Sequence, residues 1–445
     1  MDEGRVASVS RRTGIVLVVI LWILMLVTVL ALALAHTTRL DNAVRVAGAD
    51  RVTARWLARA GVHRAISEVG RDLGPTDTML DTWYDNEKAF REVSLEDGTF
   101  TVYAQGESAG SRHGGYGIED EASKVNLNTA SRAMLLALPG MTESMADGIV
   151  RWRSQEGAGE AKAMAMTTKP AASEEGTGAA AQAFATVREL ALVPEVTGRV
   201  FYGEDLNLNG LLEANEDDGE ASAPVDNGDG LLDRGLLGMV TVYSFEYNRD
   251  GLGRRRVNVN TAGAAELGQE LGLNPCQIKW IEEHRGSGFS NIGALLMDDA
   301  LSEGPAAECT EEAGALPLDW GTFRRIADRI TTRQESVIRG RINVNTASAT
   351  VLATLSGVTE ELAENMVPYR QTLGQGFTSV AEVLLVPGMT VEIFQQMVGE
   401  ITVRSSAFTI RSCGRASRTG LAHYIEAVVA RTDAGPTVLY WKETR

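Results

Sequence analysis

Between residues 205 and 216 the chain reads DLNLNGLLEANE, with oxygen-bearing side chains at alternate positions. Asp205, Asn207 and Asn209 stand at positions one, three and five, Gly210 at six, Glu213 at nine and Glu216 at twelve. A calcium loop needs this order: hard oxygen donors converge on one cation, glycine allows the turn, and the last carboxylate can bind through both oxygens. Leu211 would add its backbone carbonyl. The lead-in RVFYGE does not read as a long entering helix, so a calcium loop without the full helix-loop-helix is expected. A second acidic cluster, Asp226, Asp229 and Asp233, follows out of that register and is a further candidate for the same ion. The alternative is an exposed acidic linker. A catalytic metal held by Asp205, Glu213, Glu216 and Asp229 would need a base or nucleophile beside it, and the sequence offers none. Calcium is therefore expected to be structural, and no enzymatic activity is expected. The five histidines lack HxH or HExxH spacing, and Cys276, Cys309 and Cys413 form no CxxC zinc pair. Cys276 and Cys309 either join outside the cytoplasm or stand as plain buried thiols.

A second pattern recurs. VNLNTAS (125–131), VNVNTAG (257–263) and INVNTAS (342–348) open three copies of one unit, spaced 132 and then 85 residues apart. The uneven spacing excludes a solenoid. Asn128 or Thr129 and their counterparts are placed to cap the helix that follows. In the first copy a short helix is expected to end at Leu138-Pro139-Gly140, with a second from Thr142 to Arg153; the third copy repeats this around Gly357, with a helix to Arg370. A second hairpin follows between Gly376 and Met389. Residues 183–197 read as the delayed second hairpin of copy one, behind an Ala/Gly/Glu-rich insertion at 156–183 that is expected to be mobile. These units resemble helix-hairpin-helix motifs. In phosphate-binding versions bare backbone amides meet the phosphate, but here Thr142, Thr359 and Thr390 stand at that point. Glu143, Asp147, Glu360, Glu361 and Glu364 crowd the second helices. With 42 Lys and Arg against 59 Asp and Glu, the net charge of -17 also has the wrong sign for gripping a phosphate backbone. Packing or protein interaction is the expected role, with nucleic acid the lesser alternative.

The elements that must hold these units begin at the N-terminus. Ile15 to Ala35 is 21 residues without a charge; at about 1.5 Å per residue it spans roughly the 30 Å of a bilayer core. Arg11 and Arg12 just before it keep the N-terminus cytoplasmic, which places the body in the periplasm, anchored by a single pass through the inner membrane. No proline interrupts Thr37 to Leu73, so one helix is expected to run from lipid into the body. EVSLEDGTFTVYAQ (92–105) reads as a hairpin turning at Asp97-Gly98, and 239–247 as a strand returning to the same sheet. Residues 406–414, 423–431 and 437–443 supply the last strands. The expected fold class is α+β, a strand-rich α/β-roll interrupted by an inserted, mainly α-helical domain. The boundaries read as a leader (1–14), a transmembrane helix (15–35), its continuation (36–74) and a first group of strands (75–124). A first hairpin region (125–238) with acidic loops at 205–233, a returning strand (239–256), two further repeats (257–400) and C-terminal strands (401–445) complete the chain.

The long helix, half apolar and half amphipathic, resembles that of type IV pilins and pseudopilins. The Gly14-Ile15 junction, Val19 where most pilins carry Glu, the entry IEDEASKVNLNTAS (118–131), the hairpin repeats and the C-terminal strands together resemble the type II secretion system protein K family of minor pseudopilins. The resemblance covers nearly the whole chain and departs from it at 156–183 and 205–233. It implies a pilin-like roll, cleavage after Gly14 by a prepilin peptidase and methylation of Ile15. It further implies a tip complex with other minor pseudopilins, contact with the inner-membrane secretion assembly platform, and a role in starting the pseudopilus and assisting export across the outer membrane. It implies no catalytic residues. The alternatives are a membrane-anchored DNA-binding or uptake receptor built on the same motifs, a plain anchor, or a signal peptide cut after Ala35.

Overall fold

The computed structural model describes residues 12–72, 74–104, 115–154, 184–205, 207, 212–297, 309–310 and 314–444. Helix α1 runs unbroken from Arg12 to Arg71, as the proline-free stretch allows. Its two halves have opposite surroundings. From Ile15 to Leu34 every large apolar side chain is at least half exposed. Further along, Ala54, Leu57, Ala58, Val62, Ala65 and Val69 are buried, at the i, i+3, i+4 spacing that puts them on one helix face.

That face lies on an antiparallel sheet built from both ends of the body. Its strands are β1 (Val93–Leu95), β2 (Gly98–Tyr103), β3 (Glu119–Asp120), β4 (Ala407–Ala416), β5 (Ala422–Thr432) and β6 (Gly435–Thr444). The order is β1-β2-β4-β5-β6, with β3 beside β4 beyond the end of β2. Trp83, Phe90, Phe100, Ile118, Phe408 and Ile425 fill the space between sheet and helix. Helix and sheet approach closely because Gly414 has no side chain: a Cβ there would fall 2.1 Å from the Ala54 carbonyl oxygen. The first hairpin turns at Glu96-Asp97, not at Asp97-Gly98, since Leu95 pairs with Gly98. Gly98 is a strand residue whose missing side chain leaves room for the Arg415 carbonyl, 2.2 Å from where a Cβ would stand.

Between β3 and β4 the chain builds three modules on one continuous apolar core. Each is closed by a two-residue parallel pair: Val125-Asn126 with Val240-Thr241, Val257-Asn258 with Ile330-Thr331, and Ile342-Asn343 with Ile401-Thr402. The segment 239–247 does not return to the large sheet. Its first part closes module one, the Thr241 hydroxyl accepts the Tyr243 N–H at 2.9 Å and turns the chain, and Phe245–Tyr247 pairs antiparallel with Val337–Arg339. Alternation marked it as strand, but the free partner within reach is the module's own opening strand.

The modules stand at the end of the sheet body where α1 finishes. There Arg431 of β5 donates to the Asp72 carbonyl at 2.8 Å, to the Asp77 carboxylate and to the Ser405 carbonyl. At the opposite end, beside the exposed half of α1, Arg418 holds Asp50 at 2.6 Å.

Candidate functional site

The first half of α1 leaves an unbroken row of large apolar side chains exposed. Gly14 and Ile15, the expected processing junction, both lie within α1, with Ile15 68% and Val19 50% exposed; residues 1–11 of the expected leader lie outside the described residues. The apolar character continues past the charge-free run: Leu40, Val44, Val52 and Trp56 are all more than half exposed. By length and composition α1 suffices for one membrane crossing.

Each module is held by the same polar parts. The first Asn of each repeat (Asn126, Asn258, Asn343) folds back to accept the N–H two residues on, at 2.9, 2.9 and 3.1 Å. The second clamps a distant phenylalanine through its backbone. Asn128 donates to the Phe184 carbonyl at 3.0 Å and accepts its N–H at 2.8 Å; Asn260 does the same with Phe289 (3.0 and 2.7 Å) and Asn345 with Phe377 (2.9 and 2.8 Å). These side chains are therefore committed elsewhere, and the expected N-caps at Asn128 or Thr129 move to Ser131 and Ser348, which accept the Met134 and Val351 N–H groups. The partners lie 29 and 32 residues away in modules two and three but 56 in module one. The extra chain falls in the expected insertion at 156–183, which lies outside the described residues.

An arginine missed by the sequence reading completes each module. Arg153 donates to the Leu127 carbonyl at 2.9 Å, Arg285 to Ala262 at 2.6 Å, and Arg370 to both Val344 and Ala347 at 2.8 and 2.7 Å. The signal was present: Val125 to Arg153, Val257 to Arg285 and Ile342 to Arg370 are the same step of 28 residues.

The hairpin turns are capped by their own side chains. Gly140, Gly357 and Gly388 take positive φ (71°, 79° and 91°), which lets the chain reverse before the second helix. Thr142, Thr359 and Thr390 then turn their own hydroxyls onto the Met145, Leu362 and Ile393 N–H groups at 3.3, 3.2 and 3.2 Å. Those are amides that an anion at a helix N-terminus would need. Acidic residues follow at once in the same first turns: Glu143, Glu360 with Glu361, and Glu392.

The acidic loops divide into two kinds. In the first, Asn207 donates to the Glu213 carboxylate at 2.8 Å, and Glu216 accepts the Glu213 N–H at 3.1 Å. Asp205 lies 4.0 Å from the Arg234 guanidinium, and both Asp205 and Glu216 are 1% exposed. Asn209 and Leu211 lie outside the described residues. The flanks are a five-residue helix, Gly198–Tyr202, and a 3-10 turn, Ala214–Glu216, without a long entering helix. In the second kind the carboxylates staple backbone. Asp226 accepts from Asp218, Gly219 and Gly228, Asp229 from Leu231, and Asp233 from Gly235. Asp226, Asp229 and Asp233 thus do not gather on one point. Glu204, which the sequence reading passed over, ties that segment back by accepting from Asn227 and Asp233. Among the described residues the carboxylates that meet as a group of three are Asp72, Asp77 and Asp81, and Arg431 occupies that group through Asp72 and Asp77.

Buried ion pairs bind modules to sheet. Burial pushes Glu119 of β3 up, yet Lys124, Arg411 and Arg234 outweigh it and hold the carboxyl down at about 2. Glu246 is alike: burial raises it, and Arg256, Arg341 and the Thr402 hydroxyl bring it down to about 2. Its partners come from modules two and three, at 3.2, 2.6 and 2.7 Å.

Residues 120–160 and 337–402 match the helix-hairpin-helix motif family. The chain is 42% identical over 69 residues to the endonuclease/exonuclease/phosphatase family domain-containing protein 1 of Xenopus laevis, covering 16% of this chain and 12% of that protein. The human protein of the same name is 35% identical over 89 residues, 20% of this chain and 16% of its own length. Among solved structures, the chain is similar to one from the GspK-GspI-GspJ complex of the type 2 secretion system of enterotoxigenic Escherichia coli. The TM-score is 0.41 at 13% identity, over 90% of this chain and 99% of that one.

Proposed function

We propose that this chain is a minor pseudopilin of type II secretion, a single-pass inner-membrane subunit that joins other minor pseudopilins at the pseudopilus tip. There it would start assembly and assist protein export across the outer membrane. One observation carries the reading. α1 is a single helix whose first half has no cover of its own and whose second half is the core of the sheet body. Such a helix needs lipid before assembly and neighbouring helices afterwards. The modules occupy the end of the body away from the lipid-facing half, where the next subunit of a stack would add. Capped, acid-flanked hairpins fit a packing role there better than nucleic acid. The role is assembly, not catalysis.

The finer features follow from this reading. A prepilin peptidase would cut after Gly14 and leave Ile15 as the mature terminus. With Val19 in place of an acid, no buried carboxylate would need a partner in the bilayer. The bond between Cys276 and Cys309 favours a body outside the cytoplasm. The first acidic loop is a set of hard oxygen donors, two of them deeply buried carboxylates, and fits calcium. Asp205, Asn207, Glu213 and Glu216 would hold the ion, with Asn209 and Leu211 completing the set, and it would pin an acidic loop.

Mass spectrometry of the N-terminal peptide from native membranes tests the reading. The expected species starts at N-methylated Ile15. A chain that starts at Met1 would replace the proposal with a plain anchor presenting binding modules, the DNA receptor first among them. A start after Ala35 would remove both filament and anchor.

A further inference from the structure

Where module one lies on the sheet the two enclose a small cavity of about 50 Å³. It has room for one small ion or a few waters. Four cations line it: Lys124 from the entry to module one, Arg188 from its second hairpin, Arg234 from the end of the acidic segment and Arg411 of β4. Two carboxylates, Glu121 and Glu426, share the wall with the Tyr243 and Tyr440 phenols.

The carboxylates are spent on two of the four cations. Glu121 accepts Lys124 at 2.8 Å, Thr409 at 2.6 Å and the Thr241 hydroxyl. Glu426 accepts Arg411 at 3.1 Å. Glu119, which does not line the cavity, takes Arg411 at 2.5 Å and Lys124 at 3.3 Å. Arg234 is left over, with its side chain 9% exposed. Among the described residues its nearest carboxylate oxygens are those of Glu119 at 3.7 Å and Asp205 at 4.0 Å, beyond hydrogen-bond distance. Its Nε is buried without a hydrogen-bond partner. Arg188 makes no ion pair among the described residues and bears on the Tyr440 phenol. Lys442 of β6 stands opposite Glu426, yet burial first and then Arg188 push its pKa down. Positive charge gathered in a partly desolvated site is costly unless an anion answers it. The chain as a whole carries -17, so this excess is local.

We propose that the cavity is a site for a small monovalent inorganic anion of chloride size, held by Arg234 and Arg188 with the Tyr440 phenol as a further donor. The cavity leaves no space for a body attached to the charge, so the ligand is a bare ion. Its holders come from both module one and the sheet, and the ion would tie the two together. The site stands apart from the role proposed for α1.

The test is chlorine NMR line broadening of the full chain in nanodiscs, in calcium-free buffer with gluconate holding the ionic strength constant. Chloride is expected to broaden saturably and bromide to displace it. Arg234→Gln should weaken chloride at least about tenfold, the worth of a charge-assisted hydrogen bond. Arg188→Gln, at a half-buried position, should weaken it as well and carries the test if the first variant does not fold. The wild-type melting temperature should rise when chloride replaces gluconate, and that rise should be lost with the binding. Broadening without saturation, broadening that bromide leaves in place, or chloride affinity unchanged in either folded variant would overturn the proposal and leave the cavity to water.

Discussion

Glu246 shows how single residues join the modules. It is 2% exposed and receives Arg256, Arg341 and Thr402 at one point, so three segments far apart in sequence depend on one charge. Its carboxyl is held at about 2, below the ordinary 4.5. A depressed acid contributes stability that is complete above the unfolded value and is lost as pH falls through the folded one. The window is therefore pH 4.5 down to about 2, worth on the order of 3 kcal/mol. Glu246→Gln is expected to destabilise the chain by roughly 3 kcal/mol or more at pH 7, because Arg256 and Arg341 stay buried without their counter-charge. The gap between wild type and variant in urea unfolding should narrow on the way to pH 3. A gap independent of pH would show that Glu246 acts through packing alone. Asp77 has the opposite sign, with burial lifting it to about 7 against the pull of Arg431. Its contribution declines as pH rises from 3.8 through 7.

At the scale of elements, the contact of α1 with β4 defines the body. Gly414 and Gly61 stand at that contact, where added Cβ atoms would fall 2.1 Å from the Ala54 carbonyl oxygen and 2.2 Å from the Ser412 hydroxyl. The first obstacle is backbone and cannot swing aside. Gly414→Val should thus cost about 3 kcal/mol or more by pushing helix and sheet apart. Thermal unfolding would record it, and Trp83, buried in that core, should become accessible to a fluorescence quencher. Retention of the wild-type midpoint would mean that α1 does not lie on β4 as described. The exposed stretch that includes Leu40, Val44, Val52 and Trp56 belongs to the same helix, so loosening it from the sheet also disturbs that apolar surface.

Taken whole, the molecule is a sheet body, a long helix whose first half is bare, and three fused modules, tied through Glu119, Asp120 and Glu246. The acidic loop proposed for calcium reaches this junction because Asp205 lies 4.0 Å from Arg234, which is also 3.7 Å from Glu119. Ion binding at residues 205–216 should then stabilise the module-to-sheet contact and not the loop alone. Calcium at about a hundred times its dissociation constant is expected to add about 2.7 kcal/mol, with EGTA reversing it. The double variant Asp205→Asn, Glu216→Gln should abolish the shift, while Asp229→Asn, in a backbone staple, should leave it intact. A calcium shift that survives the double variant would remove the loop from the reading.

Features set by near neighbours were legible in the sequence. The apolar run of α1, the C-terminal strands, the two hairpins of module three and the delayed hairpin of module one depend on periodicity, turn chemistry and the absence of proline. These act over a few residues and need no partner. Pairing was not legible. Residues 239–247 alternate like a strand whichever sheet they join, and they joined their own module and a neighbour. The asparagines of each repeat look like helix caps until Phe184, Phe289 and Phe377 arrive to claim them. Arg153, Arg285 and Arg370 recur at one spacing, yet nothing local says that they face carbonyls. Whether Cys276 meets Cys309 rests likewise on bringing distant segments together. The sequence by itself determined a membrane-length helix, a strand-rich body and three hairpin modules; the tertiary structure alone decided which strands close which module and which charges are buried together. Those outcomes depend on contacts between residues tens to hundreds of positions apart, and a local pattern carries no information about which of them the chain will close.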